Sequence, residues 1–334
     1  MSEDARDLTV LVTGGAGFIG SHLCERLLTD GAKVVCLDNL STGKMSNLSG
    51  IRRQKRFRLV KGDVLDARTV NNAVKGVDAI CHLAAKVGVK HYVKHPIEVV
   101  RTNVFGTYNL LEACKLSKLK CFLFASTSEV YGRNPDVPLG EQSSRILGST
   151  QIDRWCYSTS KSIDEHLCHS YSEEYGIPLV VLRYFNSYGP RQESSDYGGV
   201  VSIFMRRILC NQRPQVHGDG KQTRSFMFIS DAIDATLASL LRAAAKGGVF
   251  NIGNPVETSI LELAKNIIRL AGKEAELKPE LIPYGEFYGK SYEDLRRRVP
   301  DISRARHLLD FEPRVALKEG LHSTFQWYQK EFTA

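Results

Sequence analysis

Thr13-Gly14-Gly15-Ala16-Gly17-Phe18-Ile19-Gly20 lies between an apolar run, Leu8–Thr13, and a helical pattern, Ser21–Asp30. This order of strand, glycine loop and helix decides the reading of the fold. Gly14, Gly17 and Gly20 permit a tight turn, close approach of backbone to a pyrophosphate, and close packing of helix on strand. The helix N-terminus then faces the phosphates. A glycine pattern alone is weak evidence. Here the second apolar run, Lys33–Asp38, ends on an acid 18 residues beyond Gly20. Asp38 is expected to accept hydrogen bonds from the adenosine ribose and to repel a 2′-phosphate, which favours NAD over NADP.

Further short runs at Phe57–Asp63, Ala79–Leu83, Cys121–Ser126 and Leu179–Arg183 are continuous rather than alternating in polarity, as expected of strands covered on both faces. Helical patterns at Glu98–Lys118 and Trp155–Tyr175 lie between them. Repeated βαβ units predict a Rossmann-type, doubly wound parallel sheet. Residues 1–183 read as the dinucleotide-binding domain, which also receives a later segment, about 225–253. Residues 184–334 read mainly as a smaller C-terminal α/β substrate-binding domain, interleaved with the first. In that part a helix is expected from Ser230-Asp231 and a short strand at Phe250–Gly253. A second helix is expected from Ser259, where Ser259 and Glu262 have capping-box spacing. Pro283–Pro300 reads as a long functional loop.

With 43% hydrophobic and 25% charged residues, the composition is that of an ordinary globular protein. No apolar run approaches the roughly 18–20 residues of a membrane helix. The polar start, Met1–Asp7, does not read as a secretory signal. None of the eight cysteines forms a C-x-x-C pair, so buried reduced thiols in a cytoplasmic protein are expected, with no metal site. The net charge is +8, but the basic residues are scattered apart from 52–56 and Arg296-Arg297-Arg298. That pattern offers no nucleic-acid stripe and suits an anionic small substrate.

Tyr157 and Lys161 are four apart in the Trp155–Tyr175 pattern and share one helix face. A phenol with an ordinary pKa of about 10 is a poor base at neutral pH. A nearby ammonium favours the phenolate, so the pair is expected to take a proton from a sugar hydroxyl as hydride leaves for the nicotinamide. Ser126-Thr127-Ser128-Glu129-Val130-Tyr131-Gly132 follows the fifth strand, and strand ends line the ligand crevice of such sheets. Thr127, Ser128 and Glu129 are therefore expected to face substrate.

Together these residues resemble the extended short-chain dehydrogenase/reductase family of nucleotide-sugar epimerases, dehydratases and decarboxylases. The resemblance covers nearly the whole chain. It includes Gly62-Asp63-Val64, His82-Leu83-Ala84-Ala85, Arg183–Arg191, Gly218–Phe226 and Asn251-Ile252-Gly253-Asn254. It implies tightly held NAD, with Phe18, Ile19, Asn39, Asp63, Val64, Leu83, Ala84, Ala85, Lys86 and Asn103 added to the cofactor site. It implies a UDP-sugar substrate held by Asn186, Arg191, Val200, Gln215, His217, Arg224 and Arg298. It also implies a homodimer formed through Glu98–Lys118 and Trp155–Tyr175.

Within the family, Thr127-Ser128-Glu129 resembles the UDP-glucuronic acid decarboxylases, where dehydratases typically carry Thr-Asp-Glu. Tyr288–Asp294 and Arg297–Ile302 look like the decarboxylase domain of the bacterial lipid-A aminoarabinose pathway. So does Arg154–Ser158. This resemblance implies oxidation at sugar carbon 4 of UDP-glucuronic acid by Tyr157, Lys161 and Thr127, then loss of carbon dioxide. Arg298 and Ser128 would position the carboxylate. Glu129 would press on it by like charge or handle a proton. Tyr157-Ser158-Thr159-Ser160-Lys161 departs from the Tyr-Asp-Glu-Gly-Lys of xylose-forming relatives, so both UDP-4-keto-pentose and UDP-xylose stay open as product. The alternative is a UDP-hexose or UDP-uronate 4-epimerase, which needs no Glu129. A non-catalytic dinucleotide sensor is opposed by intact Tyr157, Lys161 and Thr127.

Overall fold

The structure, a computed structural model, describes residues 5–194, 198–283 and 295–333. In its first half the elements are β1 (Thr9–Thr13), α1 (Phe18–Thr29), β2 (Lys33–Asp38), β3 (Phe57–Lys61), α2 (Ala67–Val74), β4 (Ala79–His82), α3 (Val89–Lys94), α4 (Pro96–Val100), α5 (Gly106–Cys114), β5 (Cys121–Thr127), α6 (Trp155–Tyr175) and β6 (Leu179–Tyr184). The second half adds β7 (Ser187–Tyr188), α7 (Val200–Leu209), β8 (Gln215–His217), β9 (Thr223–Ser225), β10 (Met227–Phe228), α8 (Ile229–Leu241), β11 (Gly248–Ile252), β12 (Glu257–Ser259), α9 (Ile260–Leu270), β13 (Glu280–Ile282), α10 (Ser303–Leu309) and α11 (Leu317–Thr333).

Seven parallel strands stand side by side in the order β3-β2-β1-β4-β5-β6-β11. The order reverses between β1 and β4, the switch point of a doubly wound sheet, where strand carboxyl ends open a crevice. The apolar centres of these strands follow from two covered faces. Val10, Val12, Cys36 and Cys81 pack under α1, α8 and α10 with Leu27, Ala232 and Leu309. Leu11, Val35, Ile80 and Phe122 pack under α2, α5 and α6 with Val70, Leu110 and Cys168. A third apolar cluster joins α7, α9 and α11 through Phe204, Met205, Leu263, Ile267, Leu321 and Tyr328. Ser259 caps α9, its hydroxyl accepting from Glu262 N at 3.1 Å.

Trp155–Tyr175 forms one helix over the expected span and ends at Gly176, whose φ of +70 makes a left-handed C-cap. The expected helix Glu98–Lys118 differs. It begins at Pro96, a favoured first helical position, and ends at Cys114. A five-residue π-turn, Arg101–Phe105, interrupts it. The extra residue swings Asn103 inward, where Oδ1 accepts Lys86 N (2.9 Å) and Nδ2 donates to Ser160 Oγ (3.1 Å). Such turns recur at functional sites.

Helix α6 is tied to the sheet by a buried fork. Arg183 on β6 donates Nε and Nη2 to the two Glu165 oxygens at 2.9 and 2.6 Å, and Ser126 Oγ also donates to Glu165. Removing one partner of such a pair strands the other charge in a low dielectric. A Glu165→Ala chain should lose about 3 kcal/mol of stability in urea unfolding, and a loss under about 1 kcal/mol would show that the fork is solvated.

Candidate active site

After β1 the backbone turns at Gly14, whose φ is +70. A Cβ on Gly14 would lie 2.9 Å from the Ala84 backbone, and one on Gly20 would lie 2.1 Å from the Gly14 carbonyl oxygen. Only glycine lets α1 start this close to the loop. A cavity of about 400 Å³ opens here. Of the expected cofactor residues, Gly14, Gly17, Phe18, Ile19, Gly20, Asp38, Asn39, Val64, Leu83, Ala84, Ala85, Lys86, Tyr157 and Lys161 line it. Asp38 Oδ2 accepts Ala16 N (2.9 Å) and Oδ1 accepts Leu40 N (2.7 Å), so the carboxylate is held at the rim with lone pairs to spare. This cradle, with an acid at its far end, fits a dinucleotide.

Two expected residues, Asp63 and Asn103, do not line the cavity. Asp63 is taken up by Asn39 Nδ2 (2.8 Å) and Leu65 N (2.9 Å). Asn103, fully buried in the π-turn, supports the Lys86 backbone. The sequence reading missed the segment 41–47, which contributes Ser41, Thr42, Lys44 and Asn47. That segment folds back because Lys44 N and Asn47 Nδ2 both donate to Ala16 O. The Ser41-Thr42-Gly43 run just past the acid was its only sequence signal.

Tyr157 and Lys161 project from the first turns of α6 against the end of β5. The Tyr157 ring stacks on Tyr92, with centroids 4.6 Å apart and planes 7° apart. Lys161 Nζ donates to Ala125 O (2.9 Å) and sits 4.5 Å from the Phe124 ring centroid. The expected lowering of the phenol by the ammonium is not what this geometry gives. Burial first, then the Glu129 carboxylate, pushes Tyr157 above its ordinary value, and a hydrogen bond with Thr127 pulls it partly back. Burial likewise lowers Lys161, against the opposing charges of Asp164 and Glu165.

Thr127 ends β5 and caps a short 3-10 turn, Ser128–Tyr131, accepting Glu129 N at 3.2 Å. Ser128 is buried in that turn. The Glu129 side chain meets Arg298 Nη1 at 2.5 Å and Arg154 Nη2 at 3.8 Å. Burial pushes its carboxyl up, but the charges of Arg298 and Arg154, the Arg298 hydrogen bond and Arg224 outweigh that and hold it at about 2. Glu129 is therefore an ionised anchor and not a proton store near neutral pH. Arg298 spends only Nη1 on it. Among the described residues, its buried Nε and Nη2 have no hydrogen-bond partner. That edge of a guanidinium is the fork that takes a carboxylate by two parallel bonds.

Arg298 is delivered by its chain neighbours. Leu139 and residues 299–301 exchange backbone bonds, Leu139 N to Val299 O and Asp301 N to Leu139 O, both 2.8 Å. Arg296 pairs with Asp219 and Arg297 with Glu257, so the basic triplet is split among three acids. Tyr288–Asp294 lies outside the described residues.

Of the expected substrate residues, Asn186 and Arg191 line the same cavity. Asn186 Nδ2 donates to Ser225 O (3.0 Å). Arg191 turns back to α1, donating Nη2 to both Glu25 oxygens (2.8 and 2.9 Å) and Nη1 to Ser21 Oγ (3.3 Å). It thus stands on the dinucleotide side of the cavity. Val200 opens α7, while Gln215 and His217 sit on β8. Arg224 on β9 donates Nη1 to the Thr223 and Leu295 carbonyls, and its charge reaches Glu129.

Residues 11–324 match the family profile described as GDP-mannose 4,6 dehydratase. The chain is 38% identical over 323 residues to a UDP-N-acetyl-alpha-D-glucosaminuronate decarboxylase of Bacillus cytotoxicus, covering 96% of this chain and 97% of that one. It is 37% identical to UDP-glucuronic acid decarboxylase 1 of Xenopus tropicalis, covering 96% of this chain and 72% of that one. Among solved structures, the UDP-glucuronic acid 4-epimerase of Bacillus cereus, in complex with UDP-glucuronic acid and NAD, superposes with a TM-score of 0.87 at 33% identity, covering 97% of this chain and all of that one.

The glycine cradle makes a direct claim. A Gly20→Ala side chain must push the Gly14 carbonyl aside, so NAD affinity measured by calorimetry should fall at least about tenfold; unchanged affinity would mean that the dinucleotide lies elsewhere.

Proposed function

The chain belongs to the GDP-mannose 4,6 dehydratase family, and from that premise we propose that it is an NAD-dependent UDP-glucuronic acid decarboxylase. The observation that carries the reading is the buried Arg298 fork paired with Glu129, whose charge in turn reaches Tyr157. A neutral hexose would leave that fork unsatisfied, whereas a uronate carboxylate fills it.

The loop Gly14–Gly20 and Asp38 would hold NAD, which would supply a hydride acceptor for sugar carbon 4. The chain's own residues do the rest. Tyr157, hydrogen-bonded with Thr127 and backed by Lys161, takes the proton of the 4-hydroxyl. Oxidation there places a ketone β to the carboxylate. The bond between carbon 5 and the carboxylate then breaks, and its electron pair delocalises into the ketone as an enolate. Arg298 and Ser128 orient the carboxylate, while ionised Glu129 competes for Arg298 and disfavours the negative charge beside it. Loss of neutral carbon dioxide relieves that repulsion. Protonation of carbon 5 by solvent water gives UDP-4-keto-pentose; were the hydride returned to carbon 4, Tyr157 would hand its proton back to oxygen 4 and UDP-xylose would result.

Residues 1–183, with 225–253, serve the cofactor in this scheme, and 184–334 mainly serve the sugar nucleotide. The Bacillus cytotoxicus relative favours a second reading with the same chemistry, in which carbon 2 carries an acetamido group. The eight free cysteines support a cytoplasmic setting. Among the described residues no helix is long and apolar enough to cross a membrane. Ile97, Phe105 and Tyr108 on the 96–114 helical segment and Ile163 on α6 are exposed. This apolar face supports a homodimer formed through the two helices.

Two experiments test this. Incubation with UDP-glucuronic acid, followed by proton NMR, should show a UDP-pentose or its 4-ketone, with UDP-N-acetylglucosaminuronic acid as the parallel substrate. Arg298→Lys, which keeps the charge but loses the fork, should lower kcat/KM by about 100-fold. Carbon-retaining conversion to UDP-galacturonic acid would replace the reading with a 4-epimerase. For the dimer, Ile97→Asp with Phe105→Asp should halve the mass in sedimentation at micromolar concentration; a wild-type monomer would refute it.

A further inference from the structure

Asp164 lies one turn beyond Lys161 on α6 and has no place in the reaction described above. Its side chain is fully buried, and among the described residues neither oxygen has a hydrogen bond. Glu165, its neighbour, is satisfied by Arg183 and Ser126. Asp164 has no such partner. The Thr107 hydroxyl of α5 faces it and holds its carboxyl down in part, but the hydroxyl hydrogen is directed to Asn103 O at 2.8 Å. Behind Thr107, His82 of β4 bridges Thr107 Oγ1 and Thr13 Oγ1, at 3.1 and 2.7 Å, as a buried imidazole held neutral. On its own helix Asp164 faces Lys161, Glu165, Cys168 and, further along, Tyr157. Among these groups the single cation is Lys161.

A buried carboxylate without hydrogen bonds is costly and persists only where it does something or is paired. A buried ammonium is equally disfavoured alone and tends to lose its proton. Lys161 is 2% exposed, and among the described residues its hydrogen-bond acceptor is the neutral Ala125 carbonyl. We propose that Asp164 is a positioning residue for the Tyr157/Lys161 pair: the buried counter-charge that keeps Lys161 an ammonium and sets the pH range in which the pair works. The two groups offset each other's desolvation while Lys161 remains against Ala125 O and the Phe124 ring. The inference rests on the reading of Tyr157 as the base of the proposed reaction.

The signs are fixed. Removing the Asp164 charge makes the phenolate easier to form while Lys161 stays charged, and it makes the ammonium easier to lose, so both titrations move to lower pH. The first test needs no substrate. Tyrosinate absorbance of the NAD-loaded protein, titrated with Tyr157→Phe as the subtraction, isolates Tyr157. Asp164→Asn should lower its midpoint by about one pH unit, while Asp164→Glu should keep the wild-type midpoint. In turnover, both limbs of the kcat/KM profile should shift to lower pH in Asp164→Asn and stay in place in Asp164→Glu.

A thermal measurement guards against misfolding. Burial pushes the Asp164 carboxyl up to about 6, above its unfolded value of about 3.9. The stability it allows at low pH is therefore lost as pH rises through about 6. Asp164→Asn should then gain melting temperature over wild type at pH 7 relative to pH 4. A folded Asp164→Asn chain with unmoved tyrosinate midpoint and unmoved limbs would reduce Asp164 to packing and overturn the inference. A wild type that leaves UDP-uronates unchanged would instead sink the decarboxylase reading, and the tyrosinate titration would still decide the role of Asp164.

Discussion

The fork between Arg183 and Glu165 fixes where chemistry can occur in this molecule. Helix α6 lies across the sheet, and its position along its own axis decides whether Tyr157 and Lys161 reach the end of β5. Arg183 comes from β6, the strand beside β5, and also donates to the Tyr131 hydroxyl and the Glu141 carbonyl. Strand, helix and the connection that crosses the sheet's carboxyl end are thus joined at one guanidinium. Lys161 to Ala125 O is a second tie on the same helix. Ser158 Oγ to Glu129 O (2.6 Å) is a third, and it places the turn that carries Glu129.

Charge pairs around the site differ by burial, and that difference sorts their roles. Arg296–Asp219 and Arg297–Glu257 are largely solvated, with arginine side chains 73% and 56% exposed. Pairs of that kind contribute about 0–1 kcal/mol each. Their consequence is geometric: they pin residues 296 and 297 to the second half of the molecule, so that Arg298 alone turns inward. Arg298 and Arg154 are 3% and 5% exposed. There the charges act in low dielectric, and they outweigh the desolvation of the partly buried Glu129.

The glycine loop, Asp38 and the apolar strands were legible because each is a local pattern with a local cause. The Tyr157/Lys161 pair was legible because helical spacing converts directly into a shared face. The π-turn at Arg101–Phe105 was not, since one inserted residue leaves the apolar pattern nearly unchanged. Arg191 reads as a substrate ligand by family pattern, and it lines the cavity while pairing with Glu25 on α1, a contact the sequence did not signal. Asp164 was illegible for a different reason. Helix α6 buries Ser158, Ser160, Ser162, Asp164 and Glu165, so no contrast in polarity along the sequence tells its inner face from its outer one.

Two charge clusters meet at Tyr157, and they are not alike. Lys161 with Asp164 sums to zero, the balance that lets both stay buried without a ligand. Glu129 faces the positive charges of Arg298, Arg154 and Arg224, a surrounding that favours a further anion. Both carboxylates oppose loss of the Tyr157 proton, and burial opposes it further. Against them stands the Thr127 hydrogen bond, which stabilises the phenolate. An empty site therefore keeps its base protonated. The proton becomes removable only when a bound molecule adds positive charge or another donor at the phenol oxygen. That dependence ties the acid–base step to a filled cavity, and it follows from the charges of two carboxylates that both reach Tyr157.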